Sequence, residues 1–132
     1  MPATALGSEA YGPLGQWESR DGGFRIVLIE APSPLPLNQS HGWRIRVTDS
    51  QGEPFEPAAL TVVGGMPQHG HGFPAAPRLS PGKRAGEYDI EGMRFHMPGA
   101  WQVGFTVIGK DGVPYEVRRE FVVGALPPDQ GQ

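Results

Sequence analysis

The stretch VVGGMPQHGHGFP, residues 62–74, sets His69 and His71 two residues apart, with Gly70 between them and Gly72 after. In extended backbone, residues two apart project to the same side. Two imidazoles so placed can reach one metal ion, and the glycines let the chain bend to close the geometry. Imidazole suits copper, zinc and nickel. The thioether of Met66, three residues upstream, suits Cu(I) in particular. A second stretch, GMRFHMPG (92–99), adds Met93, His96 and Met97. Together the two stretches hold three of the four histidines and every methionine except Met1. That makes Met66, His69, His71, His96 and Met97 the candidate metal ligands.

The same residues have plainer uses. Gly64, Gly65, Pro67, Gly70, Gly72 and Pro74 read as a loop, which can simply be exposed. On a regular strand Met93, Phe95 and Met97 share one face, and Arg94 and His96 the other. Met93 and Phe95 are therefore expected in the core. His96 and Met97 stay open between ligand and packing. MPGA (97–100) fits a type II turn with Pro98 second and Gly99 third, joining two strands in a hairpin. His41, just before Trp43 at a strand start, reads as a surface or packing residue.

Other chemistries fail sooner. No nucleophile elbow surrounds a serine. GGMPQHGHG lacks the P-loop lysine and the dinucleotide-binding spacing. Asp49, Asp89 and Asp111 fall at strand ends or turns, where aspartate is common for structural reasons. With no acid/base constellation, the chain reads as non-enzymatic.

The elements that must position the candidate residues are strands. GWRIRVTD (42–49) alternates, with Trp43, Ile45 and Val47 on one face and Arg44, Arg46 and Thr48 on the other. AWQVGFTVIG (100–109) puts Trp101, Val103, Phe105 and Val107 together. PYEVRREFVV (114–123) puts Tyr115, Val117, Phe121 and Val123 opposite Glu116, Arg118 and Glu120. FRIVLIEA (24–31), AALTVVGG (58–65) and GEYDIEGMRF (86–95) complete the set. Gly92 marks a bulge or slip, and GKDG (109–112) a hairpin turn. No stretch has a sustained helical period. The pattern predicts an all-β, immunoglobulin-like antiparallel β-sandwich of about seven strands spanning residues 23–124. A partly docked N-terminal tail (1–22) precedes it, with Tyr11 and Trp17 able to dock, and a tail (125–132) follows. Loops gather at the two ends of such a sandwich, so a shared site requires both histidine stretches at one end.

At 132 residues the chain is one domain. It is long enough to bury roughly two thirds of its unfolded surface. A formal charge of −3 without a basic run makes nucleic acid a poor partner. With no cysteine, no thiolate chemistry or Cys-based zinc site is available. No apolar run is long enough to span a membrane. The first fifteen residues lack the basic and apolar regions of a signal peptide.

The order GGMPQHGHGFPAAP, a turn-rich gap, GEYDIEGMRFHMPGAWQVGFTV and a last strand resembles the YtkA-like domain family over residues 37–123. FixH-like and CopC-like exported sandwiches are similar more loosely. The resemblance implies a small immunoglobulin-like domain, exported or periplasmic in bacteria. It also implies a copper role in trafficking or tolerance rather than catalysis, with a copper-handling or membrane-bound protein as partner. Met66, His69, His71, His96 and Met97 match the family pattern. Phe73 departs from it, standing where relatives often carry methionine. The alternative is a non-catalytic accessory or interaction domain without a metal.

Overall fold

A computed structural model describes residues 15–19, 23–32, 34–66 and 70–124. Among them run β1 (Gln16–Glu18), β2 (Phe24–Glu30), β3 (His41–Asp49), β4 (Ala59–Met66), β5 (His71–Gly72), β6 (Arg78–Pro81), β7 (Glu87–Met93), β8 (Gly99–Ile108) and β9 (Pro114–Val123). They form two antiparallel sheets, ordered β1-β2-β3-β7-β6 and β5-β4-β8-β9. Without the short β1 and β5, the seven remaining strands follow the immunoglobulin order, four in one sheet and three in the other. The architecture is the expected sandwich.

Alternation builds the core. Trp43, Ile45 and Val47 of β3 and Trp101, Val103, Phe105 and Val107 of β8 are all buried, and so is Val117 of β9. Tyr115, at the start of β9, stays 37% exposed and packs edge-on against Phe24. The docking expected of Trp17 takes the form of a strand. β1 pairs with β2, and the Trp17 indole, 1% exposed, donates from Nε1 to the Val103 carbonyl of the facing sheet at 2.9 Å. Tyr11 and the C-terminal tail lie outside the described residues.

Gly92 is the bulge its position suggested. His41 faces Met93 while Trp43 faces Ile90, so β7 spends one extra residue there, and Gly92 takes φ 84°. The extra residue keeps Ile90 and Met93 both inward, each fully buried. The turn after β7 differs from expectation. Gly99 has positive φ, 135°, but β7 and β8 belong to different sheets. Residues 94–98 therefore form a corner between sheets rather than a hairpin. The hydrophobic pattern fixes which side chains point inward but carries no signal for which sheet a strand joins. The hairpin at 109–112 is present, joining β8 to β9 with Gly112 N–H donating to the Gly109 carbonyl at 2.9 Å.

Strand direction alternates along the chain, so alternate connections share an end. The β2–β3, β4–β6 and β7–β8 connections lie at one end, and the β3–β4, β6–β7 and β8–β9 connections at the other. Both histidine stretches belong to the first group, together with His41.

Candidate functional site

The segment read as a loop is mostly a hairpin. β4 continues to Met66, and Met66 pairs with His71 and Gly65 with Gly72 across the ladder. Gly70, at φ 70°, supplies the reversal that a residue with a side chain would resist. His69, with residues 67 and 68, lies outside the described residues. The pairing sets His71 on the ladder by its backbone.

From there the chain returns over Gly64. A Cβ at Gly64 would overlap Phe73 Cζ, so the phenyl ring lies directly on the β4 backbone. Phe73 stacks on Trp101, with ring centroids 5.9 Å apart and planes 12° apart. It meets Phe95 edge-on at 5.9 Å. Such aromatic pairs contribute about 0.5–1.5 kcal/mol each beyond the area they bury. Phe73 thus supplies packing that ties the first stretch to the second.

The second stretch wraps the same indole. The His96 ring stands edge-on to Trp101 at 5.4 Å, and Trp101 Nε1 donates to the Met97 carbonyl at 2.9 Å. Phe95 is fully buried and meets Trp101 at 5.2 Å. Its carbonyl accepts from Asn38 N–H at 2.6 Å, and the Arg94 guanidinium reaches Asn38 Oδ1 at 2.8 Å. The β2–β3 connection is therefore fastened to this corner as well.

Two methionines belong to this corner, Met66 at the end of β4 and Met97 within the connection itself. Met66 is 1% exposed, and its Cε would lie 2.7 Å from a Cβ placed on Gly99. Its methyl thus rests on the backbone two residues beyond Met97. Met97 is half-buried against the core. Met93 is a core residue, as its strand position implied. The structure thus brings Met66, His96 and Met97 to one end of the sandwich around Trp101, with the His71 backbone beside Met66. Among the described residues no group of three or more His, Asp or Glu side chains is placed to hold a metal ion. This end carries two methionines and one histidine beside the Trp101 indole.

One imidazole at this end was read only as surface or packing. His41 packs on Phe95 at 5.7 Å and beside Trp43 at 6.5 Å. Its Nδ1–H donates to the Gln39 carbonyl at 3.0 Å, which leaves Nε2 as the lone-pair nitrogen. Nε2 is buried without a hydrogen-bond partner among the described residues. Burial holds the His41 pKa below the usual value, partly offset by the Gln39 hydrogen bond. The signal that could have found it is strand order: in this fold the connection before β3 shares an end with the other two.

A family model described as YtkA-like matches residues 19–106, well over half of the chain, and the chain belongs to that family. No curated protein matches it. Among the described residues no helix is long and apolar enough to cross a membrane.

Proposed function

We propose that this YtkA-like domain binds a copper ion at the Trp101 end of the sandwich and serves copper trafficking or tolerance outside the cytoplasm, without catalysing a reaction. The observation that carries the reading is the meeting of two distant stretches rich in soft donors. Met66 reaches the backbone at Gly99, the His96 ring stands edge-on to Trp101, and the Met97 backbone carbonyl accepts from the indole. Mixed imidazole and thioether donors fit copper better than zinc, which favours thiolate, imidazole and carboxylate. His69, outside the described residues, and His71 complete the proposed donor set. The family points to an exported setting, where a copper-handling or membrane-bound protein would give or take the ion.

A second reading has one observation in its favour. Met66 is 1% exposed and belongs to the hydrophobic core, which suits an accessory domain whose methionines only fill space. The two readings part on replacement of His69 and His71 by alanine. On the copper reading the double variant binds copper roughly tenfold more weakly or worse, a loss of about 1.4 kcal/mol. Binding also weakens below about pH 6, where histidine takes up its proton. Copper titration by calorimetry measures both. A double variant that binds like the parent would sink the assignment of these two histidines. A metal-free melting temperature lowered by several degrees would mark them as structural.

A further inference from the structure

We infer that the end of the sandwich opposite the histidine stretches binds a small organic cation of the methylated ammonium class, in a cavity between the two sheets. The inference is independent of the copper reading. A cavity of about 440 Å³ opens there, within the range of roughly 300–1,000 Å³ that holds small molecules. Its walls come from both sheets: Phe24 of β2 from one, Val107 of β8 and Tyr115 of β9 from the other, with Phe55 of the β3–β4 connection beside them. Phe24 stacks on Phe55, with ring centroids 6.1 Å apart and planes 13° apart, and meets Tyr115 edge-on at 5.9 Å. The Phe55 N–H donates to the Val47 carbonyl at 2.9 Å, which fixes that ring's backbone. The strand pattern explains the opening. Tyr115 belongs to the inward series of β9, yet Val117, Phe121 and Val123 are buried while Tyr115 stays 37% exposed. The core is therefore not closed at this end.

The walls and the rim ask for the same ligand. Aromatic faces carry negative potential and attract a cation, most strongly one that sheds its water easily. A methylated ammonium is such an ion, because its charge is spread over methyl groups that prefer an apolar wall to water. The rim adds charge of the matching sign. Two carboxylates, Glu56 and Asp111, line the cavity against one ammonium, that of Lys110. Asp111 is held in place by accepting from Val113 N–H at 3.1 Å. Among the described residues Glu56 enters no ion pair. Lys110 is exposed, and its long stem lets the ammonium stay in water. A hard metal ion would need several oxygen ligands, where this cavity offers mainly rings and aliphatic carbon.

The test separates charge from shape. The full metal-free chain is titrated with choline and with its neutral isostere, the alcohol that has carbon in place of the nitrogen. Backbone amide shifts are followed by NMR. We expect saturable shifts at Phe24, Phe55, Lys110 and Tyr115 with choline, and binding of the alcohol weaker by roughly tenfold or more. Tyr115→Leu keeps an apolar wall but removes a ring, and should weaken choline about tenfold. Glu56→Gln should weaken it about threefold. Lys110→Met removes the opposing charge and should leave choline as tight or tighter. Thermal melting reports whether each variant is folded. Glu56→Gln and Lys110→Met, both at exposed positions, keep the test decisive if Tyr115→Leu unfolds. An alcohol that binds as tightly as choline would show a cavity without charge selection and overturns the inference. So does a choline titration without saturable shifts, or a folded Lys110→Met variant that binds choline more weakly. None of these outcomes bears on copper at the opposite end.

Discussion

At one end of the sandwich, turns close on themselves. Asp49 Oδ1 accepts from the N–H groups of Gln51 and Glu53 at 2.8 and 3.0 Å, and Asp111 Oδ1 accepts from Val113 N–H at 3.1 Å. Gly52 and Gly112 take φ 83° and 82° with nothing near their would-be Cβ atoms. At the other end almost nothing is local. Phe73 lies on Gly64 and stacks on Trp101, Met66 rests on Gly99, and Phe95 joins His41 to Trp101. The turns of the first end are closed by hydrogen bonds within a few residues, beside the packing of Phe24 on Phe55 and Tyr115, while the second end relies more on packing between strands far apart in sequence. Side chains at the second end therefore have fixed neighbours, which is what a binding site needs and what a self-contained turn does not provide. Substitutions of the same type should have unequal effects at the two ends.

The largest contrast is expected for glycine to alanine. At Gly99 the backbone has φ 135° and a new Cβ would meet Met66 Cε at 2.7 Å. Strain and overpacking together should cost about 3 kcal/mol. Chemical denaturation measures it. The cause can be separated by adding Met66→Ala. That change removes the overlapping methyl, so the double variant should lose less than the sum of the two singles. A strictly additive pair would mean that backbone strain alone is at work.

At the other end, Gly112→Ala meets no neighbour and carries only the positive φ. The expected loss is about 1 kcal/mol, read from the same denaturation curves. If Gly112→Ala proves as costly as Gly99→Ala, the two ends are equally constrained and the comparison fails.

The same contrast decides what could be read from sequence. The self-contained end was legible, because GKDG and the residues after Asp49 carry their own turn chemistry. The inward faces of β3, β8 and β9 were legible from a period of two, and Gly92 announced its bulge. The corner at residues 94–98 was misjudged as a hairpin. Pro98 and Gly99 report a bend, but the partner of β8 is β4, set by packing some forty residues earlier. The role of Phe73 was hidden for the same reason. Nothing local shows that Gly64 lacks a side chain so that an aromatic ring can lie on it. His41 was undervalued because its neighbours, Phe95 above all, come from β7 and beyond. The candidate donors themselves were visible by type, while their common position follows from the alternation of strand direction.

The smallest effect should come from that histidine, and it sharpens the comparison through pH. His41 packs against Phe95 and Trp43, and burial keeps its imidazole neutral in the folded state below the usual histidine pKa of 6.5. In the unfolded chain the ring protonates normally, so between the two pKa values the unfolded state binds more protons. Stability then rises with pH across that window. Its contribution is fully present above about pH 6.5 and is lost as pH falls toward the lowered folded value. The ring is only half-buried, so the loss should stay below that of Gly112→Ala. Thermal melting from pH 8 to pH 5, in the absence of metal, checks it against His41→Phe, which keeps a ring on Phe95 but removes the titrating nitrogen. The variant should flatten the acid limb of the curve relative to the parent. Parallel curves for the two proteins would show that acid acts elsewhere, and that the aromatic end of the sandwich does not sense the charge of its own histidine.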